Sequence, residues 1–304
     1  MTPTEAILLT IVTAATPLLI AALGELVAER SGVLNLGLEG MMAIGAVSGF
    51  AGAVVSGSTI WGVTLGVLAG TAMAALFALV VLGFAANQVG AGLALTIFGL
   101  GLSGLLGAPF VGSRRDPIGV LAIPGLSDLP IVGRLLFAQD AFVYASFALV
   151  IAVAVFLSST RAGLTLRSVG ENHASAHALG LPVIRTRLLA ILFGGACAGL
   201  AGAYLSLVYT RFWSPGMTSG RGWIALALVV FSAWRPGRAV TGAYVFGAAT
   251  VLQLHAQAAQ VGLPSQALSA VPYLATIVAL VLFSWRRRAS GAPGSLGVPF
   301  VPDR

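Results

Sequence analysis

The chain contains no lysine, and charged residues of either sign make up only 8% of its 304 positions. A soluble domain carries about 25%. So few polar side chains do not cover a water-facing surface, which excludes a soluble globular protein. A single cysteine, Cys197, excludes an internal disulfide, and its Gly/Ala-rich apolar surroundings do nothing to activate its thiol. Signatures of chemistry are missing too: there is no P-loop, no His-Glu-x-x-His, no Cys-x-x-Cys and no nucleophile elbow with a workable triad. The protein therefore hydrolyses no ATP by itself. It also lacks the repeated intramembrane Asp, Glu and His chain that proton-coupled carriers use. The net charge of +7 comes from arginine alone. No basic stripe alternates with aromatics, which argues against nucleic acid. The arginines sit in short loops, where they orient a protein in a membrane.

What the chain does have is apolar length: 58% of residues are hydrophobic and the mean hydropathy is +0.99. A helix needs about 20 apolar residues to cross the hydrocarbon, with every backbone polar group paired inside it. Segments that qualify are Ala6–Gly24, Glu39–Ser56, Trp61–Phe84, Gly90–Phe110, Ala141–Ser158, Leu188–Val208, Trp223–Trp234, Val240–Gln257 and Leu268–Trp285. The expected fold is an all-α membrane protein, a polytopic bundle of about nine helices, with eight to ten as the range. A β-barrel is excluded because the runs are continuous and not alternating. Residues 1–288 form one transmembrane domain, and the Pro/Gly-rich tail 289–304 is expected to be poorly ordered. The first span has no basic flank and no small-residue cleavage site, so it reads as a retained helix. Arg161, Arg167, Arg185 and Arg187, then Arg235 and Arg238, then Arg286–Arg288 fall on one side, expected to be cytoplasmic together with the C-terminus. The N-terminus and the loop Val111–Asp140 fall outside, with Arg211 and Arg221 against the rule.

Three polar stretches interrupt the apolar pattern. In Gly24–Ala46, the residues Glu25, Glu29, Arg30, Asn35 and Glu39 alternate with Gly32, Gly37 and Gly40. An ionised side chain at a helix centre costs about 2.5–3.5 kcal/mol on insertion scales, so this group does not face lipid. It is either a short polar connector or a broken helix that lines a cavity, in which Asn35 and Glu39, four apart, share a face. The second stretch, Thr160–Arg187, reads between Ser168 and Leu181 as a short amphipathic helix closed by Gly180 and Pro182, suited to docking on a cytoplasmic partner. His173 and His177 are four apart, but with no third ligand near them a solvated face is the reading and no metal is expected. In the third, Tyr209–Arg238, Pro215, Gly216, Gly220 and Gly222 break a helix. Transporters build sites from two such interrupted segments, and here they are Gly32–Gly40 and Pro215–Gly222. Phe212 and Trp213 either stack on an aromatic solute or anchor at the interface. Arg221 stands beside them, and Asn87 with Gln88 is a further candidate. No cofactor is implied.

At these stretches the chain resembles the permease subunits of bacterial ABC importers in the branched-chain-amino-acid and simple-sugar permease superfamily. Its nearest likeness is to the nucleoside branch, which works with a basic-membrane-protein-type lipoprotein receptor. The resemblance rests on ERSGVLNLGLEGMM (Glu29–Met42), LRSVGENHASAHALGL (Leu166–Leu181) and SPGMTSGRGWIALALVVFSAWRP (Ser214–Pro236), in the family's order. It implies a type II importer fold in the bacterial cytoplasmic membrane, with two permeases side by side, ATPase cassettes below and a receptor above. The two permeases are usually different chains, and the ATPase is often a fused double cassette. Gly170, Glu171, Asn172, Ala178 and Gly180 would belong to the helix that transmits ATP-driven motion. The chain departs from the family in its fourth span, where Thr96 stands in Leu93–Gly101 in place of an expected Asn.

Overall fold

A computed structural model describes residues 3–122, 124, 125, 127, 132–259, 264, 266–268, 270, 271, 274, 277, 278, 281 and 291–301. Seven helices among the described residues are long and apolar enough to cross a membrane. These are α1 (Pro3–Arg30), α2 (Leu38–Ser56), α3 (Thr59–Gly83), α4 (Gln88–Phe110), α6 (Ala141–Ser159), α9 (Val183–Tyr209) and α11 (Pro236–Ala258). Shorter helices join them: α5 (Val132–Phe137), α7 (Arg161–Glu171), α8 (His173–Ala178) and α10 (Arg221–Phe231). Strands β1 (Leu121–Ala122) and β2 (Ala138–Gln139) pair antiparallel between α4 and α6. The chain is thus a multi-pass helical bundle. The expected span Trp223–Trp234 is α10, whose 11 residues reach only about half of the hydrocarbon. The expected span Leu268–Trp285 lies for the most part outside the described residues.

At the centre α2, α3 and α9 pack nearly backbone to backbone. A methyl group on Gly45 would stand 2.5 Å from the Cα of Gly199, and Gly66 and Gly70 of α3 press on the same glycine. Gly202 lies against the carbonyl of Met42. Hydroxyls of Ser206 and Ser103 donate across to the carbonyls of Ala46 and Ala43, at 2.8 and 3.1 Å. Small residues and interhelical hydroxyl bonds are what association in lipid requires.

Contacts sort the connections into two ends. At one end Arg115 donates to the carbonyl of Ala53 and its amide bonds the carbonyl of Arg211 at 3.0 Å. At the other the end of α1, the α7–α8 segment, the start of α9 and the α10–α11 turn meet. There the single amphipathic helix expected over Ser168–Leu181 is two helices. Asn172 breaks the run with its backbone extended and caps α8 by accepting from the Ser175 amide at 2.9 Å. Gly180, at φ +78°, closes α8: its amide and that of Leu181 bond the carbonyls of His177 and Ala176.

Residues 291–301, for which poor order was expected, form instead a turn-rich strap against this end. The Ser295 amide bonds the Gly170 carbonyl at 2.9 Å, and the Gly297 amide bonds that of Gly32 at 3.1 Å. Arg187, fully buried, spans the junction from the carbonyl of Ser31 to that of Val298, at 3.2 and 3.1 Å. Phe300 meets the rings of both His173 and His177 edge-on at 5.3 Å, so the face expected to be solvated is covered in part, with His173 half-buried and His177 still exposed. Composition spoke for disorder, but buried carbonyls that need donors hold the segment down.

Candidate functional site

The α1 helix runs six residues past its expected end, so Glu25 and Glu29 stand in its last turns, both 0% exposed. The following segment 31–37 is buried for most of its length and not an exposed connector. Such a segment has no regular structure to satisfy its backbone, and side chains from neighbouring spans do so. Gln88 Oε1 accepts from the Leu34 amide at 2.8 Å, and Glu25 Oε1 accepts from the Asn35 amide at 3.2 Å. Thr96 Oγ1 donates to the Leu36 carbonyl at 2.9 Å. Asn35 turns back on itself, Oδ1 accepting from the Gly37 amide at 2.9 Å while Nδ2 meets Met41 Sδ at 3.5 Å. Asn35 therefore precedes α2 and shares no helical face with Glu39, which differs from the sequence expectation. Close approach explains the glycines: a methyl on Gly40 would stand 2.7 Å from the Leu95 carbonyl oxygen, and one on Gly92 would stand 2.7 Å from the Leu36 nitrogen.

The second break lies between α9 and α10. Arg211, Gly216, Ser219 and Gly220 all take positive φ there. The amides of Gly220 and Gly222 at the start of α10 donate to Glu39 Oε1 and Oε2, at 2.8 and 2.6 Å. A carboxylate on a helix N-terminus satisfies otherwise unpaired amides and complements the helix dipole. Gly222 is required by proximity, because a Cβ would lie 2.6 Å from the Glu39 Cα. The far end of α10 is tied as well. Trp234, left-handed at φ +55°, donates Nε1 to Glu29 Oε2 at 2.5 Å and accepts from the Arg30 guanidinium at 3.0 Å through its carbonyl. The two interrupted segments singled out in the sequence thus meet, and the half-length α10 is held at both ends by the α1–α2 break.

Polar atoms at this junction are not all paired. Glu25 Oε2, Glu29 Oε1, Gln88 Nε2 and Thr218 Oγ1 are buried without a hydrogen-bond partner among the described residues. A cavity of about 30 Å³ at the start of α10, lined by Leu36, Leu38, Gly222, Trp223 and Leu226, has room for about one water, and none of Glu25, Glu29, Gln88 and Thr218 lines it. No group of three metal-ligating side chains occurs among the described residues.

Other candidates stand apart. Asn87 is exposed and caps α4 through the Gly90 amide at 2.9 Å. Trp213 is buried against Gly107, whereas its neighbour Phe212 is exposed. Arg221 lies 5.5 Å above the Tyr209 ring and donates to the Met217 carbonyl at 2.9 Å. In the α7–α8 segment Gly170 presses on the backbone of Arg30 and Gly32, while Glu171 and Ala178 are exposed. Glu25, Glu29, Arg187 and Trp234 carry more of the junction than sequence reasoning assigned them. The signal for all four was their presence in the three polar stretches, which hold Glu25 and Glu29, Arg187, and Trp234 in turn.

Comparison with known proteins agrees with this architecture. Residues 7–283 match the family model described as the branched-chain amino acid transport system permease component. A protein of Haloferax volcanii described as a glucose ABC transporter permease is 41% identical over 88% of this chain and 88% of its own. The guanosine ABC transporter permease of Bacillus subtilis is 33% identical over 95% and 94%. The nucleoside ABC transporter permease of Lactococcus lactis subsp. cremoris is 31% identical over 92% and 92%. The chain belongs to the family of branched-chain amino acid transport system permease components.

Proposed function

We propose that this chain is one transmembrane permease of an ATP-binding-cassette importer of nucleosides and forms half of the translocation pathway. The observation that carries this reading is the interlock of the two interrupted segments at Glu39, beside buried polar atoms that lack protein partners. Broken helices and unpaired polar groups at membrane depth belong to a solute path and not to a lipid-facing wall. Two relatives named for guanosine and nucleosides, matched over nearly their full length, support the cargo.

In this account the chain crosses the bacterial cytoplasmic membrane about nine times, with Leu268–Trp285 as the last crossing and the C-terminus cytoplasmic. One permease domain covers 1–288. Asn35, Glu39, Gln88 and Thr96 form the gate, and Phe212, Trp213, Arg221 and Asn87 lie along or beside the path. Gly170, Glu171, Asn172, Ala178 and Gly180 receive the ATPase. Its motion passes from α7–α8 to the end of α1, which Gly170 touches, and from there through Glu29 and Arg30 to α10. The partners are an ATPase of the double-cassette kind, a second and different permease, and a lipoprotein receptor.

Uptake of labelled nucleoside into vesicles holding the complete complex tests this. Transport should require ATP and receptor together, and uptake driven by a proton or sodium gradient without ATP would refute it. A simple sugar is the second reading, favoured by the 41% identity to the relative described as a glucose permease. Competition between guanosine and glucose for the cognate receptor separates the two.

A further inference from the structure

Away from the α1–α2 break, α6, α7 and α9 enclose a slot of about 620 Å³, and Val27 of α1 forms its floor. Leu149, Phe156, Leu166, Leu189 and Phe193 supply most of the wall. The two hydroxyl groups that line it, Thr165 and Thr186, are spent on their own helices, donating to the carbonyls of Arg161 and Pro182. A wall with no free polar group does not hold water. Left empty, it forfeits dispersion contacts over its whole surface. Such a void needs an apolar occupant.

The charge around the slot says which one. Arg161 immediately precedes the lining residue Ala162 on α7, and Arg185 immediately precedes the lining residue Thr186 on α9, so both stand at the rim of the slot and not in its wall. Both side chains are exposed. From residue 141 to residue 302 the only acid is Glu171, about 15 Å along α7 from Arg161. Among the described residues neither arginine forms an ion pair with an acid. The slot also straddles the point where span α6 ends at Ser159 and α7 begins, the depth at which hydrocarbon gives way to headgroups. Basic pockets between helices at that depth select anionic lipid headgroups.

We infer that the slot binds one acyl chain of an anionic phospholipid, with its phosphate held between Arg161 and Arg185. The lipid then forms the packing between α7 and α9. Because α7 leads into the segment read above as the ATPase contact, the lipid would also set the height of that segment. This last consequence rests on the proposed function; the lipid site itself does not.

The test uses the full-length protein in phosphatidylcholine nanodiscs with and without phosphatidylglycerol, and native mass spectrometry to count lipid retained after transfer to detergent. Wild type should retain phosphatidylglycerol over phosphatidylcholine. The double variant Arg161→Gln/Arg185→Gln should lose about thirtyfold in that preference, the factor two interfacial arginines supply. Ala152→Phe, placed in the slot from an exposed position, should reduce retention of both lipids, and Ala148→Phe, exposed on the same helix outside the slot, should not. Unchanged preference in the arginine variant, unchanged retention in Ala152→Phe, or displacement of the lipid by inorganic phosphate would each overturn the assignment.

Discussion

The α2–α3–α9 core and the α1–α2–α10 junction lie side by side in one bundle and are held by different forces. In the core, glycines bring backbones into contact and leave no slack. At the junction, a buried irregular segment and a half-length helix hang on one hydrogen bond each from Gln88, Glu25, Thr96 and Glu29 and two from Glu39, with buried polar atoms to spare. Close-packed glycine contacts have one good arrangement, whereas hydrogen bonds exchange partners at small cost when another donor or water is at hand. We propose that this difference makes the core the frame and the junction the part that moves.

Overpacking the frame should do the most damage. Gly202→Leu drives a side chain into the Met42 backbone, and we expect a loss of about 3 kcal/mol or more, read as failure to recover folded protein after detergent extraction. Folded Gly202→Leu of wild-type stability would remove the distinction between the regions.

Next in size is Glu39→Gln. It keeps one oxygen for the α10 amides but removes the charge and the second acceptor. A hydrogen bond to a charged group contributes about 1.5–3 kcal/mol, so thermal stability should fall by about 2 kcal/mol. Transport should fall more than tenfold while the complex still assembles. Assembly lost together with transport would make Glu39 part of the frame.

How far could this be read from the sequence? The spans were legible because apolar runs and helix length are local properties, and α2, α4 and α6 begin and end within two residues of expectation. The two breaks were legible from Gly, Pro and charge. What they do to each other was not: that Glu39 caps α10, or that Trp234 finds Glu29, depends on pairs about 180 to 205 residues apart. The end of α1 was misplaced because Glu25 and Glu29 look like connector residues until α10 is seen to cover them. The break at Asn172 was hidden for another reason: an Asn within an amphipathic pattern gives no sign of whether its side chain caps a new helix. The strap 291–301 was missed because composition reports what a segment does alone, and this one is held by partners elsewhere.

Smaller effects should come from that strap. Phe300→Ala removes the ring packed on His173 and His177 and should raise amide exchange over 291–301 while costing the whole protein less than about 1 kcal/mol. A global loss of stability would show that the strap belongs to the frame.

The smallest expected effect is that of pH. His173 Nδ1 lies 3.1 Å from Arg187 Nη2, a nitrogen that only donates, so the docked imidazole is neutral. Burial first, and then the Arg187 charge, hold His173 below its ordinary value of 6.5. The docked form resists a proton that the released form accepts. Strap stability should therefore be full above about pH 6.5 and decline as pH falls below it. Exchange at the Ser295 and Gly297 amides, compared in wild type and His173→Gln, reads this directly. A wild-type profile flat from neutral pH down to mild acid would contradict it.

The central claim is that the junction moves while the core does not. Hydrogen–deuterium exchange on the complete transporter in lipid nanodiscs, with and without ATP and receptor, tests it most directly. The account predicts faster exchange at the Leu34, Asn35, Gly220 and Gly222 amides during turnover, with no change across the facing stretches of α2, α3 and α9. Equal exchange at the four amides in both states, or a rise spread evenly through the core, would contradict it.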